Sequence, residues 1–356
     1  MASIIIPTLN RSEFVIRQLR YYASVQCPHT IYIGDSSDLN HVEKTLSVVR
    51  ELENKVKIVY KQYPELNDYQ CIKELIRISD EEYIAYVGDD DFIIPNSLTK
   101  CEEFLKNNPG YRTAQGRGIV FSVPTNILYG KDLKIGVYSL RSAEADCPVQ
   151  RLDDYLRNYW VALFSVHRKD EFLEDQSNIE VITDRSFSEI MPNCLSIIHG
   201  KSKQLECMYL VRQVHQQRYT LLGALGWITS PNWYANYQIF HDSLTKALVE
   251  RTSLDLDKSR SIVKQAFGYS LARGILKNYP SLFKSNTSGK YVEIRRKIAK
   301  RFPIVKRLYL ESKARLPMCN NDMNLFALRN PSSIYYDDFI PVYKSITDEH
   351  LLNRTN

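Results

Sequence analysis

The chain has 356 residues, enough for one large domain or two ordinary ones around a real core. Its 44% apolar and 25% charged residues are ordinary for a soluble globular protein and exclude a disordered or fibrous chain. The net charge of +6 is modest and uneven, which argues against a nucleic-acid coat, and no apolar stretch reaches the roughly 18 residues of a spanning helix.

Seven cysteines (Cys27, Cys71, Cys101, Cys147, Cys194, Cys207 and Cys319) are scattered, odd in number and without a Cys-x-x-Cys pair. That pattern argues against a zinc site or a disulfide framework and for a reducing compartment. The opening Met-Ala-Ser-Ile-Ile-Ile-Pro lacks the charged onset and apolar length of a signal peptide, so a cytoplasmic protein is expected.

Along the chain, Ser3–Ile6 reads as a short apolar strand and Arg11–Ser24 as an amphipathic helix. Thr30–Ile33, Lys55–Tyr60 and Tyr83–Val87 are further strands, separated by helices Asp38–Leu52 and Asp68–Ile78. Repeated βα units of this length predict a mostly parallel, Rossmann-like sheet flanked by helices. Pro95–Asn107 predicts another helix, stopped by Asn108-Pro109-Gly110, and Thr113–Val123 is extended. Val161–Val166 and Gln204–Val214 are strand candidates on either side of a helix over Arg185–Ile198. From Trp233 onward helical patterns dominate, over Trp233–Arg251, Asp257–Asn278 and Lys290–Lys300. Gly223, Gly226 and Pro231 punctuate a boundary, giving a first domain over 1–225 and a mainly helical region over 226–356.

The chemistry concentrates at Gly88-Asp89-Asp90-Asp91, placed where the apolar strand Tyr83–Val87 should end. Three adjacent carboxylates repel one another and are tolerated best when solvated or neutralised by a cation. Mg²⁺ and Mn²⁺ bind through one or two carboxylates together with substrate phosphate oxygens. An acidic surface turn is the plain alternative, which the strand before and the helix after disfavour. Two more polar clusters follow predicted strands, Pro7-Thr8-Leu9-Asn10-Arg11 and Gly34-Asp35-Ser36-Ser37-Asp38. In a parallel sheet all three fall on one rim, the edge where such folds bind ligands. Each also suits turn and cap chemistry: Pro7 and Asn10 at the first turn, Asp35 and its serines at the second. No G-x-x-x-x-G-K-[ST] or post-strand G-x-G-x-x-G is present, so phosphates would be held by metal and side chains.

Ser3-Ile-Ile-Ile-Pro-Thr-Leu-Asn-Arg11, the Asp35-Ser36-Ser37 turn and Tyr86-Val-Gly-Asp-Asp-Asp-Phe92 together resemble family 2 glycosyltransferases of GT-A fold. The Gly-Asp-Asp-Asp-Phe form is similar to a bacterial subgroup associated with surface polysaccharide assembly. The resemblance covers about residues 1–125 well and 126–220 loosely. It implies metal-dependent, inverting sugar transfer from a nucleotide-diphosphate donor to a saccharide or lipid-linked acceptor. The family motif, Asp-x-Asp-Asp with Pro four residues on, aligns on Pro95 and puts Gly88 where the first Asp is expected. Asp90 then takes the metal position with Asp91 beside it, and Asp89 or Asp91 supports the ribose, a metal-bound water or the donor sugar. Pro7, Thr8 and Asp35 fall on the nucleotide side.

An inverting transferase also needs a carboxylate base. The resemblance places it near a downstream helix start, where Asp184 and Glu189 are the candidates in Thr183-Asp-Arg-Ser-Phe-Ser-Glu189. Ser186-Phe-Ser-Glu189 is equally a capping-box pattern. Lys201, Arg212, His215 and Arg218 are cations that suit phosphate contact, although single cations more often line a surface. From Lys290 to Arg315 ten Lys or Arg face only Glu293 and Glu311, interleaved with apolar residues. Such a segment suits peripheral contact with an anionic membrane, or a solvated helix face. Outside the transferase reading stand a sugar-phosphate nucleotidyltransferase, disfavoured because Ile6–Asn10 has no glycine loop, and an inert saccharide-binding scaffold.

Overall fold

The computed structural model describes residues 1–124, 128–177, 179–218, 220–278 and 322–347. The helix expected over Lys290–Lys300 and the basic segment 290–315 lie outside the described residues. In chain order the elements are β1 (Ala2–Thr8), α1 (Ser12–Ser24), β2 (Thr30–Asp35), α2 (Leu39–Leu52), β3 (Ile58–Gln62), α3 (Asp68–Ile78), β4 (Tyr83–Tyr86) and β5 (Phe92–Ile93). Then come α4 (Pro95–Asn107), β6 (Tyr111–Ser122), β7 (Lys134–Tyr138), α5 (Pro148–Arg157), β8 (Val166–Arg168), α6 (Lys169–Asp175), α7 (Arg185–His199) and β9 (Lys201–Gln213). Helices α8 (Ala224–Ile228), α9 (Trp233–Arg251), α10 (Leu256–Asn278), α11 (Leu325–Leu328) and α12 (Tyr336–Thr347) close the chain.

The strands form one mixed, largely parallel sheet in the order β3-β2-β1-β4-β8-β6-β9-β5, with β7 paired to β6. The half from β3 to β4 is parallel throughout. Helices cover both faces there, so β1 buries Ile4, Ile5 and Ile6 completely, which is why it reads as an uninterrupted apolar run. Beyond β4 the short β8 runs antiparallel to both β4 and β6, restoring β6 and β9 to the direction of β1. Strand β8 is also where the sequence expectation shifts. The apolar run Val161–Val166 forms a 3₁₀ turn over Ala162–Phe164, and the strand starts only at Val166. Side-chain donors hold that turn, with Tyr209 Oη on the Phe164 carbonyl at 2.8 Å and His167 Nε2 3.1 Å from the Ala162 carbonyl.

Local signals set the helix ends. Pro95 opens α4 at its first turn, and Asn67 with Gln70 forms a reciprocal capping box on α3. The C-terminal helices dock on α7, where Phe187 meets Trp227, Trp233, Phe240 and Phe267 at ring-centroid separations of 4.7 to 5.9 Å. The main core runs from β1 to α12, and a second buried cluster joins Ile5, Tyr32 and Ile84 to Ile72 and Leu75 of α3. Among the described residues no helix is long and apolar enough to cross a membrane.

Candidate active site

Parallel β1, β2 and β4 bring their C-terminal ends to one rim, with Thr8 directly opposite Asp35 in the ladder. The first two polar clusters are stitched together there. Asn10 adopts a left-handed φ of 55°, which asparagine tolerates better than most residues. Its N–H donates to Ser37 Oγ at 2.7 Å, and its Oδ1 accepts from Asp38 N at 2.9 Å. Asp35 is buried with both oxygens engaged, Oδ1 by Ser37 N at 2.9 Å and Oδ2 by Tyr60 Oη at 2.7 Å. Pro7 sits opposite Gly34 in the ladder, half-buried at the edge of the same rim.

The acidic triad turns inward, with all three residues under 7% exposed. Asp89 Oδ2 accepts from Thr8 Oγ1 at 2.8 Å, and Asp89 Oδ1 lies 2.9 Å from Arg11 Nη1. Asp90 Oδ2 meets Arg11 Nη2 and His215 Nε2, both at 2.8 Å. Asp91 Oδ2 accepts from Arg212 Nε at 2.7 Å, and its Oδ1 from the backbone N–H of Gln213 at 2.8 Å. Five of the six triad oxygens therefore have a partner. Among the described residues Asp90 Oδ1 has none. Burial raises the Asp89 and Asp91 carboxyls well above the ordinary range, against the pull of Arg11 and Arg212. Burial acts on Asp90 in the same direction, but the His215 bond and the Arg11 guanidinium outweigh it and hold Asp90 below that range.

This pattern tests which residues fit a divalent cation. Asp91 is closed by Arg212 and a backbone N–H. Asp90 keeps one oxygen open, and a single carboxylate plus phosphate oxygens suffices for Mg²⁺ or Mn²⁺. A Cβ on Gly88 would lie 2.9 Å from that same Asp90 Oδ1, so glycine at this position leaves the open oxygen room.

Arg17, fully buried on α1, ties the rim together. It donates to the carbonyls of Asp90 at 3.0 Å and Leu128 at 2.7 Å, and to Gln213 Oε1 at 2.7 Å. Burial lowers its pKa to about 10, still far above neutrality. Gln18 Nε2 donates to the carbonyls of Gly88 and Asp91 at 3.1 and 2.7 Å. Sequence reasoning gave neither residue a role. The available signal was a polar pair, Arg17-Gln18, on the otherwise apolar face of α1 that carries Phe14, Val15 and Leu19.

Helix α7 carries both base candidates. Asp184 is its N-cap: Oδ1 accepts from Phe187 N and from Trp227 Nε1, each at 2.9 Å. The cap is thus Asp184 rather than Ser186, which frees Glu189 from the capping-box role. Glu189 is half-buried, and its Oε1 accepts from Tyr159 Oη at 3.0 Å. Asn193 Nδ2 bonds both Tyr159 Oη, at 3.2 Å, and the Glu189 carbonyl, at 2.9 Å. Burial raises the Glu189 carboxyl, with Tyr159 and then Arg212 holding it back. Arg212 also donates to Tyr138 Oη at 3.1 Å, so one guanidinium links the neighbourhood of Glu189 to Asp91.

No family model matches the chain, and no curated protein matches it. Among solved structures it is similar to the glycosyltransferase TarS of S. aureus. A TarS 1-349 structure in complex with UDP-GlcNAc aligns at TM-score 0.54 and 13% identity, over 80% of this chain and 76% of that one. A second TarS 1-349 structure gives TM-score 0.52 at 14% identity with the same coverage, and a longer TarS chain, 46% covered, gives 0.50 at 15%. The fold is therefore that of a glycosyltransferase, as the sequence motifs implied.

Proposed function

We propose that the protein is an inverting glycosyltransferase that moves a sugar from a nucleotide-diphosphate donor to a saccharide or lipid-linked acceptor in bacterial surface polysaccharide assembly. The observation that carries this reading is the open Asp90 Oδ1 at the rim shared by three parallel strand ends. The fold shared with TarS, which binds UDP-GlcNAc, supports it. Pro7, Thr8 and Asp35 line the nucleoside side, and Asp89 and Asp91 fix the loop that presents Asp90. Mn²⁺ or Mg²⁺ held by Asp90 would supply Lewis-acid neutralisation of the departing diphosphate.

In the transfer step the acceptor hydroxyl oxygen bonds to the anomeric carbon as the bond from that carbon to the diphosphate oxygen breaks. The hydroxyl proton passes to a carboxylate. Glu189 is assigned that role because burial raises its basicity while Tyr159 fixes one oxygen and leaves Oε2 for the proton. Asp184 is the second candidate: its Oδ1 is spent on the cap, and among the described residues its Oδ2 has no partner.

The test is release of nucleoside diphosphate from a panel of nucleotide sugars, with and without saccharide acceptors. Glu189→Gln is expected to lower turnover by about 10²–10⁴-fold, the usual worth of a general base. Near-normal turnover in Glu189→Gln with a collapse in Asp184→Asn would transfer the role to Asp184. Pyrophosphate release from a nucleoside triphosphate would instead mark a nucleotidyltransferase.

A further inference from the structure

Arg11 is the cation that bridges two triad carboxylates and also an incompletely satisfied one. Its two terminal nitrogens span Asp89 and Asp90, and its guanidinium carbon stands 4.5 Å from the Phe14 ring centroid. Phe14 stacks in turn on His215, with ring centroids 5.1 Å apart and planes inclined by 22°. Arg11 and His215 are thus held side by side on Asp90 by packing as well as by charge. Yet both carry an orphan: Arg11 Nε and His215 Nδ1 are buried and, among the described residues, without a hydrogen-bond partner. A buried N–H with no acceptor is costly to keep. The arrangement satisfies the carboxylates at the expense of the guanidinium.

We propose that Arg11 is a two-position side chain, a counter-ion on Asp89 and Asp90 until a divalent cation takes Asp90 and a contact to the donor's diphosphate thereafter. The inference rests on the transferase reading. Three features carry it. Asp90 has one open oxygen but is otherwise saturated by Arg11 and His215, so a cation arriving there competes with Arg11 for the same negative charge. The Arg11 side chain is 26% exposed, against 5% and 9% for Asp89 and Asp90, so it can swing outward while they stay fixed. A diphosphate offers a planar fork paired acceptors for two nitrogens, a bidentate match that would also bring an acceptor within reach of Nε.

The consequence is a pair of opposite effects from one substitution. In Arg11→Met, Asp90 loses its competitor and Mn²⁺ alone should bind about tenfold tighter, read by loss of the free Mn²⁺ electron paramagnetic resonance signal. The same variant should bind its nucleoside diphosphate about tenfold more weakly in the presence of Mn²⁺, read by calorimetry. UDP, GDP, ADP, CDP and dTDP are screened on the full-length wild-type chain first, and the tightest is used. Arg11→Lys keeps the charge without the fork and should fall between wild type and Arg11→Met on both readouts, which guards against a misfolded variant. Mn²⁺ affinity unchanged or weakened in both variants overturns the proposal, as does diphosphate affinity unchanged in both. If the wild type binds none of the five diphosphates, the transferase reading itself fails, and the diphosphate half of this proposal fails with it.

Discussion

Two clusters in this molecule are built from the same parts, carboxylates held by arginine and histidine, and they lie at opposite edges of the sheet. One is the triad with Arg11 and His215, at the C-terminal ends of β1, β2 and β4. The other joins Arg112, near the start of β6, to Glu174 and Asp175 at the end of α6 and His199 at the end of α7. Ligand-type atoms of Glu174, Asp175 and His199 all fall within 4.8 Å of one another, the proximity a metal ion requires. Arg112 already closes that cluster. Its Nε and Nη2 hold both oxygens of Asp175 at 2.9 Å, and Nη2 also reaches Glu174 at 2.7 Å and the Glu171 carbonyl at 2.8 Å. His199 Nδ1 lies 2.9 Å from Asp175 Oδ1, and no nitrogen of Arg112 is buried without a partner. At the triad one carboxylate oxygen at the strand ends is open and three nitrogens, Arg11 Nε, Arg17 Nε and His215 Nδ1, are buried without a partner among the described residues, whereas beside Arg112 the unpartnered buried oxygen is Glu171 Oε2, 3.7 Å from Arg112 Nη1. Closeness of acids does not separate a site from a strut; unspent bonding capacity at the strand ends does.

The largest expected effect breaks the comparison on the functional side. Asp90→Asn removes the charge that would hold the cation while keeping the shape, and turnover should fall by about 10³-fold or more. Its thermal unfolding should fall below wild type, because Arg11 and His215 hold Asp90 ionised in the folded state, so turnover is compared per folded molecule. On the structural side, Arg112→Met leaves Asp175 buried and uncompensated, and should cost about 3–5 kcal/mol in urea unfolding. Turnover per folded molecule of Arg112→Met should match wild type. Collapse of turnover in Arg112→Met would mean that both clusters serve the reaction.

Much of this was legible before the fold. The rim was readable because three polar clusters each follow a predicted strand, and parallel strands must deliver them to one edge. Spacing to Pro95 gave Asp90 the metal position, and in the fold its carboxyl lies on that rim with Oδ1 open. The counter-ions were harder to read. Arg11 stood inside a quoted motif without a role, since nothing local shows that a residue 79 positions from Asp90 will pair with it. Arg212 and His215 were noted as phosphate contacts, whereas they face the triad carboxylates because β9 lies two strands beyond β8. That placement depends on antiparallel β8, a three-residue strand too short to announce itself against the apolar run before it. The helix-cap reading also needed the structure, because Asp184 and Ser186 are both good cap residues and only geometry chose between them.

The smallest effect sharpens the same distinction through pH, on the structural side alone. His167 lies in β8 beside the Arg112 cluster, 3% exposed, with its ring against Phe172. Its Nδ1 is buried without a partner among the described residues, so a second proton would have no acceptor. Burial pushes its pKa down to about 4, with Asp175 pulling it back up and Arg112 reinforcing the drop. An unfolded chain restores an ordinary histidine near 6.5. Between those values the unfolded state binds the proton that the folded state refuses, so the contribution of His167 is complete above about pH 6.5 and is lost as pH falls through about 4. From pH 7.5 to pH 5 that should amount to roughly 2 kcal/mol. The Asp89 and Asp91 carboxyls, raised by burial, act in the opposite sense, so the difference between variant and wild type is the quantity to measure. His167→Gln, which can still donate to the Ala162 carbonyl, should lose stability more gently than wild type over this range in urea unfolding, and the pH profile of turnover should not move. Parallel stability curves for the two proteins would show that His167 takes up its proton in the folded state, and a shifted turnover profile would tie the structural edge to the chemistry.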